Sequence, residues 1–124
     1  MVTSIGFYLS GVIAAGIVFI GGRFLLAPSS AAAAYGVPTG TEPHLRAYLY
    51  AKGIRDIASG LFAAMLIVYG SGHALGWFMQ VATIIPIADA VIVLRHGGSR
   101  AVAFGIHGST AAATLIISGL LLID

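Results

Sequence analysis

The chain has 124 residues, of which 59% are hydrophobic and only 8% charged, with a formal net charge of +2 and no cysteine. Because an average soluble domain carries about 25% charged residues, this composition predicts a membrane protein folded as one domain, residues 1–124. The missing cysteines exclude disulfides, thiolate metal sites and cysteine nucleophiles. The few basic residues form no run of the kind that binds nucleic acid, so we expect no nucleic-acid partner.

Apolar segments in the chain are long enough to cross a bilayer, which needs about 20 residues of helix. The sequence predicts an all-α, integral membrane four-helix bundle with spans at about 4–27, 45–70, 73–95 and 100–123. The first span lacks the positively charged start of a secretory signal, and we expect it to be retained. The link before the second span is rich in proline and is predicted to be a loop, with a short interfacial turn at 29–36.

The basic residues near the span ends predict an orientation. They flank the first and third links and are missing from the second: Arg23, Arg46, Arg95 and Arg100. Since basic residues concentrate in cytoplasmic loops, the first and third links should face the cytoplasm. Both termini are then expected outside, in a plasma membrane of the bacterial inner-membrane type.

Polar side chains follow one face of the second span. At 100° per residue they fall within an arc of about 100°: Tyr48, Lys52, Arg55, Asp56 and Ser59. Single polar residues from the other spans are expected at similar depth, in the half of the bundle next to the first and third links: Arg23, Asp89 and His107. An ionisable group within a span costs about 2.5–3.5 kcal/mol on insertion scales and so usually faces the interior, paired with another.

These residues suggest a site for proton transfer. Carboxylates and a histidine could supply an acid and a base, the catalytic set Asp56, Asp89 and His107. Neighbouring polar groups could hold an anionic or carbonyl oxygen of a lipophilic substrate, the binding set Tyr48, Lys52, Arg55 and Arg23. Isomerisation, epoxide opening or cyclisation would need no cofactor, and no dinucleotide or phosphate-loop motif is present. We expect no metal site, because the lysine and arginines compete for the carboxylates.

Other functions remain open at this stage. The charged residues could instead fix the helix register of a non-catalytic membrane subunit that binds a quinone, a lipid or a partner protein, and the chain could form a homo-oligomer. A carrier is disfavoured because no inverted repeat is visible. Tyr35, Tyr69 and Trp77 are interpreted as interfacial aromatics.

Five motifs together resemble a known family: "RFLLAP" (23–28), "YGVP" (35–38), "KGIRDIASG" (52–60), "IPIADAVIVLRHG" (85–97) and "IHGSTAA" (106–112). The chain resembles the small membrane proteins of domain of unknown function 4267, which look related to DoxX-like bundles. The residues that match the family's polar signature are Lys52, Arg55, Asp56, Asp89 and His107. The resemblance implies a four-helix membrane fold and supplies no reaction.

Overall fold

The computed structural model describes residues 1–37 and 42–123, and its regular structure is helical. In chain order the helices are α1 (Val2–Leu26), α2 (Pro28–Tyr35), α3 (Pro43–Tyr69), α4 (Gly72–Ala82), α5 (Ile84–Arg95), α6 (Arg100–Val102), a π-helical segment (Ala103–Gly108) and α7 (Ser109–Leu122). Positions 38–41 of the predicted first link lie outside the described residues.

The bundle has one helix more than the sequence predicts. α4 and α5 form one continuous span of 24 residues, and α6, the π-helical segment and α7 form another of 23 residues. With α1 and α3 they make four long helices, and α2 is the fifth. It forms where the sequence suggests only a short turn, because Pro28 at its first turn and a run of four alanines favour helix.

Three of the four long helices are apolar enough to cross a membrane by length and composition, which identifies a membrane protein: α1, the α4–α5 span and the span that ends at Leu122. α3 has 27 residues, but Lys52, Arg55 and Asp56 interrupt its apolar stretch. α3 runs antiparallel beside α1. Gly53 lies against Gly21, and two turns further along α3, Gly60 lies against the carbonyl of Ala14.

Close approach explains why glycines occupy this contact. A Cβ on Gly21 would come within 2.5 Å of the Gly53 carbonyl oxygen, and one on Gly53 within 2.7 Å of the Gly21 oxygen. In a bilayer, where apolar surface alone does not drive helices together, such backbone contact is a main source of attraction.

The α4–α5 span is interrupted at Thr83, which ends α4 and begins α5. Pro86 has no N–H to donate to the carbonyl of Ala82, four residues earlier, so the regular ladder is interrupted there. The Thr83 hydroxyl lies 2.8 Å from that of Thr114 on α7, and Ser118 donates to the Gly76 carbonyl at 3.0 Å. These hydrogen bonds join the α4–α5 span to α7 inside the bundle.

The two ends of the bundle differ in chemistry. Near the termini an apolar core is formed by Leu75, Met79, Ile117 and Leu121. At the other end α2 folds back onto the bundle, where the Gly36 carbonyl and Val93 crowd the backbone of Gly98 in the third link. The first and third links therefore meet at one end, which is the arrangement that alternating spans require.

Candidate functional site

Tyr35, the last residue of α2, is hydrogen-bonded to two other parts of the bundle. Its hydroxyl donates to Asp89 Oδ1 on α5 at 2.7 Å, and its backbone carbonyl accepts from His107 Nε2 in the π-helical segment at 2.8 Å. Gly36 then ends α2 with φ 109°, in the left-handed region that glycine adopts without strain. The sequence interpretation of Tyr35 as an interfacial aromatic missed this role.

Lys52 and Asp56 form the charged pair on α3. Lys52 Nζ lies 2.8 Å from Asp56 Oδ2, one helical turn away. The ammonium also lies over two rings, 4.8 Å from the centroid of Phe24 and 5.3 Å from that of Tyr35. Asp56 is buried, and this pairing is what makes its burial tolerable.

His107 is buried beside Asp89 and Tyr35. A carbonyl oxygen can only accept, so Nε2 carries the proton it donates to Tyr35, and in the neutral ring Nδ1 is an acceptor. Nδ1 lies 3.9 Å from Asp89 Oδ2, which is too long for a hydrogen bond but close enough for an ion pair when the ring is protonated. The irregular turn Ala103–Gly108, a feature that often occurs at functional sites, carries this residue.

The structure brings together four of the seven residues that sequence reasoning selected, and places the other three differently. Lys52, Asp56, Asp89 and His107 surround Tyr35. Arg23 is half-buried and donates to Ser30 Oγ at 3.2 Å. The side chains of Tyr48 and Arg55 are exposed on the other edge of the polar stripe of α3, so the structure corrects their predicted placement in the interior.

The helical face explains that correction. The buried residues of α3 include Gly53, Asp56 and Gly60, so the inward direction lies at the Asp56 edge of the polar stripe. Arg55, one residue earlier, points about 100° away from Asp56. The stripe is therefore only half buried.

The Tyr35 phenol, on a helix that is not one of the spans, is held protonated. Burial raises the pKa of Tyr35 well above its ordinary value, and the hydrogen bond to Asp89 and the charges of Asp89 and Asp56 raise it further. The phenol is thus a donor at neutral pH, and both carboxylates act on it.

A cavity of about 220 Å³ opens beside this cluster. It lies between α1, α2 and the π-helical segment, each of which contributes one polar residue to a mainly apolar lining: Ile20, Arg23, Phe24, Ala31, Ala34, Tyr35, Ile106 and His107. Within residues 1–37 and 42–123, no three acidic or histidine side chains are grouped closely enough to hold a metal ion. The cavity is suited to a small amphiphilic molecule, since most ligand sites are apolar with a few polar groups.

Comparison with protein-family models matches residues 14–121 to the family described as "Domain of unknown function (DUF4267)". The chain belongs to that family. Neither the curated proteins nor the solved structures gave a match. The DUF4267 match covers the whole cluster around Tyr35 and all eight residues of the cavity.

Proposed function

We propose that this DUF4267 protein binds a lipophilic, oxygen-bearing small molecule in the cavity beside Tyr35. The observation that carries the proposal is the composition of the cavity wall, where Arg23, Tyr35 and His107 meet apolar residues of α1 and α2. Its volume of about 220 Å³ is below the roughly 300–1,000 Å³ of drug-sized sites. One end of a slender molecule fits, with the remainder extending into lipid.

The protein could also catalyse acid–base chemistry on such a ligand. Tyr35 and His107 both line the cavity and both contact Asp89, so a proton taken up at His107 Nδ1 would be stabilised by that carboxylate. Isomerisation, intramolecular epoxide opening and cyclisation each take one proton from the substrate and return one. They balance without a cofactor or co-reactant.

The orientation belongs to the same proposal. The basic residues at the end of the bundle that holds the cavity favour the cytoplasmic side of a bacterial inner membrane, with both termini outside. A ligand would then enter from the cytoplasmic leaflet.

A non-catalytic subunit is the second candidate. The observation in its favour is that Lys52 and Asp56 satisfy one another at 2.8 Å, as a purely structural pair would. Its partner would be a quinone, a lipid, another protein or a second copy. Such a subunit would keep its fold and bind that partner even when the cavity is filled by a substitution.

Filling the cavity tests the proposal. Ala34 lines it and its neighbour Ala33 does not, although both are exposed on α2. A photoreactive lauryl alcohol with a diazirine in its chain should label the wild type and Ala33→Leu alike in phosphatidylcholine vesicles. Labelling of Ala34→Leu should fall several-fold, with peptides around Ile20 and Ile106 losing their label.

Native mass spectrometry of the extracted protein gives an independent readout. Wild type and Ala33→Leu should retain a small lipophile that Ala34→Leu has lost. Equal labelling of all three proteins, with no retained lipophile in any of them, would contradict ligand binding and leave the structural subunit.

A further inference from the structure

Two of the three polar residues around the cavity are committed to partners inside the protein. The Tyr35 hydroxyl donates to Asp89 at 2.7 Å, and His107 Nε2 donates to the Tyr35 carbonyl at 2.8 Å. His107 Nδ1 is directed toward Asp89 at 3.9 Å. Neither side chain therefore has an N–H or O–H donor free for a ligand while these contacts hold.

Arg23 is the polar cavity-lining residue that has unused hydrogen-bond donors. Its guanidinium carries five N–H groups, and the hydrogen bond to Ser30 Oγ uses one of them. Across residues 1–37 and 42–123, the ion pairs join Glu42 with His44, Lys52 with Asp56, and Asp89 with His107. None involves Arg23, which lines the largely apolar cavity, so its guanidinium has no carboxylate partner among the described residues.

Along α1, the charged and the apolar residues of the cavity follow the same order as the head groups and chains of a bilayer leaflet. At 1.5 Å per residue, Arg23 lies about 4.5 Å and Ile20 about 9 Å before the end of α1 at Leu26. Ile20 and Ile106 line the cavity and are 45% and 49% exposed, so they form an apolar mouth toward lipid. The charge thus lies near the interface, and the apolar mouth lies deeper.

We propose, on the basis of the proposed function, that the ligand of this cavity is a single-chain carboxylate whose head group binds Arg23. A guanidinium presents paired N–H groups that match the two oxygens of a carboxylate, and this bond is stronger than one to a neutral hydroxyl. The aliphatic chain leaves between Ile20 and Ile106 in the direction that a fatty acid already has in the leaflet. Arg23 is in this view the residue that sets specificity.

Matched photoprobes test the inference. Lauric acid and lauryl alcohol, each with a diazirine in the chain, are compared in neutral phosphatidylcholine vesicles, with unlabelled lauric acid as competitor. We expect the acid to label the wild type at about tenfold lower concentration than the alcohol, because a hydrogen bond to a charged group is worth more than a neutral one. Arg23→Gln should remove that advantage, so that acid and alcohol label the cavity at similar concentrations.

Two further variants separate charge from folding. Arg23→Lys keeps the positive charge and should recover much of the preference for the acid, whereas Arg95→Gln, at the same end of the bundle but outside the cavity, should behave as the wild type. Labelling of the cavity by the alcohol in Arg23→Gln reports that the fold is intact.

The outcomes distinguish this inference from the proposed function. Equal labelling by acid and alcohol, or an acid preference that survives in Arg23→Gln, overturns the assignment of a carboxylate while ligand binding stands. Displacement of the acid by phosphatidylglycerol at a few per cent of the lipid assigns the site to an anionic headgroup and overturns the single-chain ligand. Absence of cavity labelling by either probe overturns both proposals.

Discussion

Tyr35 connects the short helix α2 to the rest of the bundle through a side-chain and a backbone hydrogen bond. Removing the hydroxyl in Tyr35→Phe leaves the Asp89 carboxylate without its donor at 2.7 Å. A fully buried acceptor left unsatisfied costs about 1–3 kcal/mol. Because Asp89 is only part-buried, we expect a cost at the lower end of that range and a lower unfolding temperature in detergent micelles. Tyr48→Phe, which removes a hydroxyl from an exposed tyrosine, is the matched control and should have no effect.

The effect of Tyr35→Phe should also depend on pH. The folded protein raises the pKa of Tyr35 above the ordinary 10.0, so the phenol keeps its proton more tightly in the folded than in the unfolded state. The stability that this provides is complete below pH 10 and is lost as the pH rises beyond it. The difference in unfolding temperature between wild type and variant should therefore be constant from pH 7 to about 9 and narrow above 10.0. A difference that widens with rising pH would contradict the assigned donor.

Lys52 and Asp56 should be coupled more strongly than a surface pair. Lys52→Met or Asp56→Asn alone leaves a charge without its partner at 2.8 Å. Breaking a fully buried pair in this way costs about 3–5 kcal/mol, and we expect a smaller cost here because the Lys52 side chain is 29% exposed. The double variant has no unpaired charge at this position. We therefore expect its loss of unfolding free energy to be smaller than the sum of the losses in the two single variants. A double-mutant cycle of unfolding free energies measures this coupling, and strict additivity would mean that the two side chains act independently.

The sequence predicts the charged residues of this site but not the tyrosine at its centre. Asp56, Lys52, Asp89 and His107 stand out because charges within apolar helices must pair, and the structure brings them around one tyrosine. Tyr35 itself gives no such signal, since tyrosine is common at membrane interfaces.

The positions of Tyr48 and Arg55 could not be predicted for a different reason. Periodicity places both on the polar stripe of α3, but which edge of a stripe turns inward depends on the partner helix. Here the close approach of α1 at Gly53 and Gly60 selects the Asp56 edge. Sequence periodicity carries no information about that contact.

Among the helical elements, the pairing of α1 with α3 depends on a small number of glycines. Gly21→Ala would place a Cβ within 2.5 Å of the Gly53 carbonyl oxygen, so the helices would have to move apart. Overpacking of this kind typically costs about 1–3 kcal/mol. We expect a correspondingly lower unfolding temperature, together with weaker photolabelling of the cavity, because Phe24 in the next turn of α1 forms part of its wall.

The neighbouring glycine provides the control for that prediction. A Cβ on Gly22 meets nothing within 4 Å, so Gly22→Ala adds no clash. It should leave stability unchanged or raise it by about 0.5–1 kcal/mol, since alanine is the better helix former. Equal destabilisation by the two substitutions would show that helix propensity, rather than the α1–α3 contact, is responsible.

At the scale of the whole molecule, the bundle is polar at one end and apolar at the other. The carboxylates, His107 and the cavity lie where the first and third links meet, while Leu75, Met79 and Leu121 fill the opposite end. The proposed ligand would therefore be accessible from one leaflet only. The orientation of the bundle decides which compartment supplies that ligand.

Cysteine accessibility tests that orientation, because the chain has no cysteine and gives no background. Ser71 and Ser99 accept capping hydrogen bonds from Ala74 and Val102, so substitutions at the nearby exposed histidines disturb the helix starts less. His73→Cys, just after the second link, should react with an impermeant maleimide added to intact cells, whereas His96→Cys in the third link should react only after permeabilisation. The expected sides follow from the arginines that flank the first and third links. Reversed labelling would keep the four-span bundle and invert its orientation, and labelling of both sites from the same side would contradict the alternation of spans itself.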